Sequence, residues 1–358
     1  MHSSVRDREG HRTGTLATAD AAGSRRRPHS APGGSKVLAA VCARISPGDP
    51  LAGLDVTDVP EPSPPAGWEV VEVRAAALNH HDLFSLRGIG VSENGVPVVL
   101  GTDAAGVTAD GTEVVIYAVL GNPAPGEDET LAADFHVLSE RGVPGTLAQR
   151  VAAPSRNLVP KPAALSFAEA ACLPTAYLTA YRMLFNRAAL RPGQSVLIQG
   201  AGGGVSTAAL LLGRAAGLVV YVTSRSEEKR ARALELGAAG AFAPGSRLPT
   251  RVDAVLDSVG KATWDHSLKS LRTGGTVVVA GATSGPDPSA DLARIFWRQL
   301  AVLGSSMGTF AEFQEMCAFL EQTGVKPLVD SEFPLADAHA AFRHLEEGAG
   351  FGKVVLLP

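Results

Sequence analysis

The sequence predicts an α/β protein, a doubly wound parallel sheet with a glycine-rich turn at its first strand, preceded by a mostly β module. Three observations predict it. From Ser195 onward, short apolar strands alternate with helical stretches, the pattern of right-handed βαβ crossovers that build a parallel sheet. The first of those strands, Ser195–Gln199 (SVLIQ), runs straight into Gly200-Ala201-Gly202-Gly203-Gly204. Between Val37 and Ala118, by contrast, apolar residues fall in short or alternating runs bounded by Gly, Pro and Asp, as strands do.

Taken in order, residues 1–36 are rich in Ser, Arg, Ala, Gly and Thr without an apolar period, and are expected to be a disordered basic tail. Val37–Ile45, Trp68–Ala77 and Glu113–Ala118 read as strands. Ala168–Leu190 reads as a helix that Arg191-Pro192-Gly193 ends. After Ser195–Gln199, four further strands are expected at Val219–Thr223, Val252–Asp257, Thr276–Ala280 and Ala301–Gly304. Helices at Ser206–Ala216, Glu227–Leu236, Trp264–Leu271 and Leu292–Gln299 separate them. Phe310–Thr323 reads as an amphipathic helix, and Lys353–Leu357 (KVVLL) as a strand returning to the first module.

Composition narrows the function classes. A chain of 358 residues, 45% hydrophobic, is long enough for about two domains with sizeable cores. The net charge is -4, yet residues 1–36 carry seven Lys/Arg against three acids, so the remainder is acidic at -8. An acidic body offers no footprint for nucleic acid. No apolar run is long enough to span a membrane, since Arg214 interrupts the richest stretch, Ala208 to Val222. Ser24-Arg25-Arg26-Arg27 resembles a twin-arginine export signal, but Pro28 to Lys36 stands where its apolar segment belongs. Cys42, Cys172 and Cys317 are too few and too scattered for a disulfide framework or a cysteine-built zinc cluster. A cytoplasmic setting is the resulting expectation.

The glycine turn is the strongest chemical signal. Residues without a Cβ let backbone N–H groups approach a pyrophosphate, and the helix behind adds a partial positive charge. Placed between a strand and a helix, Gly200, Gly202, Gly203, Gly204 and Val205 are expected to hold a dinucleotide. The second strand ends in Thr223-Ser224-Arg225, with Lys229 one turn further on. An enzyme selecting NAD usually places a carboxylate there for the ribose 2′-hydroxyl. Hydroxyls and cations suit a 2′-phosphate instead, so the expected cofactor is NADP(H).

With loop and β module together, the chain resembles the medium-chain dehydrogenase/reductase superfamily over roughly Val37 to Pro358. The marks are Ala76-Ala77-Leu78-Asn79-His80-His81-Asp82, Leu100-Gly101-Thr102-Asp103-Ala104-Ala105-Gly106, the glycine turn, and Phe351-Gly352-Lys353-Val354-Val355-Leu356. Ala262-Thr263-Trp264 through Gly281-Ala282-Thr283, with Ile295-Phe296-Trp297-Arg298-Gln299, is similar to the branch called zinc-type alcohol dehydrogenase-like. The resemblance implies a GroES-like, mostly β catalytic domain (37–176 and 309–358) around a Rossmann cofactor-binding domain (177–308). It also implies a homodimer paired through the Rossmann sheets, acting on a small-molecule substrate.

The departures from that family matter as much. Zinc-dependent members hold catalytic zinc with Cys or His at the places taken here by Asn79, Thr102 and Thr175, and amides and hydroxyls are poor zinc ligands. Gly121–Asp134, where relatives carry a four-cysteine structural zinc, contains no cysteine. Neither zinc is expected. Zinc-free relatives with Asn at the place of Asn79 include quinone and enone reductases, whose conjugated substrates delocalise the incoming charge. On that likeness Asn79 binds near the nicotinamide ribose or the substrate oxygen, His80 touches the cofactor, and His81 is a proton donor. Tyr117 and Tyr177 are possible phenolic donors. Asp82 is expected to orient the loop. Gly281 and Thr283 would border the cofactor, and Lys353 would reach its phosphates. Ser206, where relatives have glycine, is expected to cap the helix. An alcohol dehydrogenase and a non-catalytic NADPH-binding sensor or scaffold are the alternative functions.

Overall fold

The apolar run Ser195–Ile198 is the central strand of a six-stranded, wholly parallel sheet. In space the strands run Gly240–Phe242, Val219–Thr223, Ser195–Ile198, Val252–Asp257, Leu271–Val279, Ala301–Gly304. The order therefore reverses at Ser195–Ile198 and opens a crevice at the carboxyl ends of the strands, where the connecting loops gather. This computed structural model describes residues Ser35–Pro358 apart from Pro125. The expected basic tail lies outside the described residues up to Gly34. Its last residue, Lys36, instead begins the strand Lys36–Cys42 and pairs with Pro60.

Gly240–Phe242 was not foreseen: three residues, Gly-Ala-Phe, are too few to show a period. The fifth strand begins at Leu271, directly after the helix Trp264–Ser270, rather than at Thr276. Gly274 and Gly275 suggest a turn there, but they sit in a register shift of the ladder. The helix expected over Ala168–Leu190 starts with a Ser166–Glu169 capping box and then widens twice to i→i+5 winding, at Leu173–Tyr177 and Arg182–Arg187. Pro174, which has no N–H to donate, lies in the first wide turn.

The second large sheet is built around Trp68–Ala77. Its alternate residues Val71, Val73, Ala75 and Ala77 are buried. It pairs antiparallel with Asp103–Thr108, with Arg150–Pro154 and with Lys353–Leu357, where Val355 stands opposite Ala77. Val329–Pro334 then adds to Lys353–Leu357 in parallel. The chain thus returns across the whole dinucleotide sheet to complete the first one. Tyr117 and Val355 from this lobe share a single core with Leu178, Val196 and Phe313. Each fully buried Leu or Phe in it contributes about 1.5–3 kcal/mol. Among the described residues, no helix is long and apolar enough to cross a membrane.

Candidate active site

The glycine turn has the geometry of a phosphate cradle. Gly202 takes φ +115°, and a Cβ on it would lie 2.8 Å from Lys229 Cδ. A Cβ on Gly204 would lie 2.7 Å from Lys353 Cδ and 3.2 Å from the Ala176 methyl. The helix Gly204–Ala215 starts from Gly203 with no side chain capping it, so its first N–H groups stay available to an anion. These features fit the pyrophosphate of a nicotinamide dinucleotide. Ser206 does not cap: its hydroxyl donates backward to the Gly203 carbonyl at 2.8 Å. Val205 is half-buried in the first turn beside it.

Thr223 is 1% exposed and acts inside the fold. Its hydroxyl donates to Gln199 Oε1 at 2.6 Å and accepts from Gly200 N at 3.3 Å. Gln199 continues through Ser267 to the buried carboxylate of Asp257, which also accepts from Gly260 N and the Thr263 hydroxyl. This network splices three strand ends together. No motif marks it, because each partner is ordinary by itself. Ser224 is buried, with its carbonyl accepting from Arg230 at 2.8 Å. Arg225 is exposed. The Lys229 ammonium donates to the Gly348 carbonyl at 2.5 Å, and partial burial lowers its pKa against the opposing pull of Asp330 and Glu228. Gly281 lies against the Ser258 carbonyl, to which the Thr283 N–H also donates at 3.4 Å, so both border the crevice.

Asn79, Thr102 and Thr175, far apart in the chain, meet. Asn79 Nδ2 donates to Thr102 Oγ1 at 3.1 Å and to Asp103 Oδ2 at 2.9 Å, and Thr102 Oγ1 lies 2.9 Å from Thr175 Oγ1. Lys353 turns inward. Its Nζ donates to the Leu78 carbonyl at 2.7 Å, to Asn79 Oδ1 at 2.5 Å and to Asp103 Oδ2 at 3.1 Å. Its ammonium therefore does not point at the phosphate cradle; only its aliphatic stem passes Gly204. Asn79 is likewise an internal strut rather than a donor to substrate, since both of its N–H bonds are spent. An amide and two hydroxyls make a poor zinc donor set. Among the described residues, no three His, Cys, Asp or Glu side chains are grouped to hold a metal.

Asn79 also begins the short helix His80–Leu86, with Asp82 closing a capping box by accepting from Asn79 N at 2.8 Å. Asp82 is wholly buried, and desolvation pushes its carboxyl up to about 6 despite the opposing His81 charge. The His81 ring lies 2.9 Å from Glu140 Oε1. Desolvation lowers the His81 pKa, but the Glu140 hydrogen bond with Asp82, Glu140 and Asp103 outweighs it, and the net shift is upward. His81 Nδ1 is buried without a partner. Glu140 was missed because 59 residues separate it from His81. His80 is exposed to solvent yet walled by protein. Desolvation, then Lys353 and Arg87, lowers its pKa and favours the neutral ring.

Other candidates are placed elsewhere. Tyr117 is 2% exposed, packs against Phe310 and Phe313, and donates its proton to the Gly308 carbonyl at 2.8 Å. It is a packing residue and leaves the catalytic set. Tyr177 is buried and accepts from Leu328 N. Burial pushes the Cys172 and Cys317 thiols up to about 12, so both are inert. The cysteine-free stretch after Gly121 is fastened by Asp128, which pairs with the buried Arg182, and Arg182 also binds Glu312 at 3.1 Å.

Comparison with known proteins agrees with this architecture. Residues 65–163 match the alcohol dehydrogenase GroES-like domain, and residues 204–322 match the zinc-binding dehydrogenase domain. A zinc-type alcohol dehydrogenase-like protein of Schizosaccharomyces pombe is 31% identical over 86% of this chain and 97% of its own length. The quinone oxidoreductase of Mus musculus is 30% identical over 84% of this chain and 92% of its own. A solved structure titled NAD-dependent alcohol dehydrogenase superposes with a TM-score of 0.81 at 35% identity, covering 90% of this chain and 99% of that one. With a GroES-like lobe and a Rossmann lobe, this chain belongs to the medium-chain dehydrogenase/reductase superfamily of oxidoreductases.

Proposed function

We propose that this protein is a zinc-independent, NADPH-dependent oxidoreductase that reduces a quinone, an enone or a related conjugated carbonyl. The observation that carries the reading is the Asn79–Thr102–Thr175 cluster, whose polar atoms bind one another where zinc-dependent members place ligands. Without a Lewis acid, a simple ketone is hard to polarise, whereas a conjugated acceptor delocalises the charge itself. NADPH, when bound, supplies the hydride. The protein's part is to orient the acceptor beside the cofactor crevice, exclude water and return a proton. When protonated, His81 carries one at its buried, unpartnered Nδ1, and the Glu140 carboxylate favours that charged ring. His80, neutral and at the crevice wall, suits a contact with the cofactor ribose.

Ser224 and the exposed Arg225, where a carboxylate would select NAD, support the preference for NADPH. Lys229 contributes only if its ammonium leaves the Gly348 carbonyl. The test is a fluorescence titration with NADPH and with NADH, then turnover with a panel of quinones and enones. At least tenfold tighter NADPH binding, weakened by Arg225→Glu, is expected. Equal affinities sink the NADPH assignment, and dinucleotide binding without any turnover turns the reading to a sensor or scaffold.

The alcohol dehydrogenase reading draws on the NAD-dependent alcohol dehydrogenase that superposes on this chain. Stoichiometric zinc together with alcohol oxidation would establish it instead. We also propose a homodimer. Ala301–Gly304 is the edge strand of the six-stranded sheet, its own Val302 is 45% exposed, and Phe296 and Trp297 of the preceding helix are exposed at 69% and 76%. A second copy would extend the sheet, and Trp297→Glu should give monomers in sedimentation. Cys42, Cys172 and Cys317, all free and buried, suit a reducing cytoplasm.

A further inference from the structure

We propose that the hydroxyl of Thr175 is the donor that receives the negative charge developing on the substrate's carbonyl oxygen. The inference rests on the conjugated-carbonyl reading and names the residue that performs its polarising step. It follows from counting protons in the buried cluster. Lys353 has three, and they go to the Leu78 carbonyl, Asn79 Oδ1 and Asp103 Oδ2. Asn79 Nδ2 has two, spent on Asp103 Oδ2 and Thr102 Oγ1.

Thr102 is 1% exposed, and the acceptor within reach of its hydroxyl is Thr175 Oγ1 at 2.9 Å. Were Thr175 to donate to Thr102 instead, the Thr102 proton would be buried with no acceptor, a costly arrangement. Thr102 therefore donates and Thr175 accepts. The Thr175 proton is the one left over.

Exposure points the same way. Asn79, Thr102, Asp103 and Lys353 are 8%, 1%, 0% and 3% exposed, whereas Thr175 is partly open to solvent. Thr175 lies in the wide turn Leu173–Tyr177, next to Ala176, which packs under Gly204 of the phosphate cradle. Thr175 is thus the member of the cluster adjoining the phosphate cradle in the chain. The chain behind it starts at an ammonium group, and each link polarises the next, so Thr175 is a stronger donor than an isolated hydroxyl.

In the reaction, hydride adds to the β-carbon of the enone and the C=C pair shifts toward the carbonyl. The C=O pair settles on oxygen, held by the Thr175 hydroxyl. One proton, returned by His81 to the α-carbon, completes the saturated ketone, so the substrate gains two electrons and two hydrogens while the cofactor is oxidised by two electrons.

The test uses 2-cyclohexenone, 13C-labelled at its carbonyl, bound to the whole protein saturated with NADP+ and, in parallel, NAD+. Isotope-edited infrared difference spectra read the carbonyl stretch without turnover. A red-shifted band is expected in the natural protein and in Thr175→Ser, and an unshifted band in Thr175→Val. Thr102→Val should give a smaller shift than the natural protein, because the chain is cut one link earlier. In NADPH oxidation, Thr175→Val should lose about 10²-fold in kcat with cofactor affinity unchanged. An unshifted band in the natural protein, no saturable binding of the probe, or an equal shift in Thr175→Val each overturns the assignment. A shifted band with no reduction of any quinone or enone refutes the proposed reaction and leaves the donor standing.

Discussion

Replacing Lys353 with Met tests whether the buried cluster is held by charge. The ammonium is 3% exposed and its partner Asp103 is 0% exposed, so neither gains much from water. Met fills a similar volume, yet it leaves the Asp103 carboxylate with the Asn79 amide as its side-chain donor and takes the donor away from the Leu78 carbonyl. Breaking one side of a buried pair costs about 3–5 kcal/mol. At roughly 2.1 cal/mol/K of unfolding entropy per residue, a folded unit of this length should lose about 4–7 °C in Tm. Thermal unfolding followed by circular dichroism reads this directly. The companion variant Asp103→Asn and the double variant complete a cycle, in which the double should lose clearly less than the two singles together. A Tm within 1 °C of the natural protein, or strictly additive losses, would refute an electrostatic role for the pair.

Three further outcomes follow from the site. Asp82 titrates near 6 in the folded protein against 3.8 for an ordinary Asp, so the folded state holds the extra proton between those values. Stability should therefore fall as pH rises from about 4 to 6, by up to about 3 kcal/mol, and urea unfolding of Asp82→Asn should lack that slope. Glu140 favours the charged His81 ring; its stabilisation is complete below about pH 6.5 and lost as pH rises through the higher folded value. In Glu140→Gln the imidazole NMR titration should move to lower pH, and an unmoved midpoint would show that the pair is not coupled. Gly202→Ala must hold φ +115° and crowd Lys229, so NADPH affinity should drop at least about tenfold while the fold persists. Undiminished binding in the titration would remove the cradle from the cofactor site.

The sequence made the parallel sheet and the glycine turn legible because both depend on neighbours in the chain. Apolar runs such as SVLIQ announce buried strands, and a strand–glycine–helix order announces a cradle. Asn79 and Thr102 drew notice through family likeness, yet their use did not. What Asn79 does is fixed by Lys353 and Asp103, which no local pattern links. Tyr117 has the chemistry of a donor, and only packing shows its proton committed to Gly308. Gly274 and Gly275 lie outside the expected strand, which starts at Thr276, yet the ladder absorbs them as an irregularity.

The return of the chain to its first sheet also sets an order of assembly. Lys353 lies 250 residues beyond Asp103. At about 5–20 residues per second, roughly 12–50 s of synthesis separate the two. During that interval the catalytic lobe has neither its counter-charge nor the strand that covers the edge at Ala76 and Ala77. The dinucleotide lobe, continuous from Ser195 to Gly304, has every strand of its sheet in hand well before. Assembly on the ribosome should thus run outward from the middle of the chain, with the cofactor lobe formed while the lobe built from both ends still waits for its lysine.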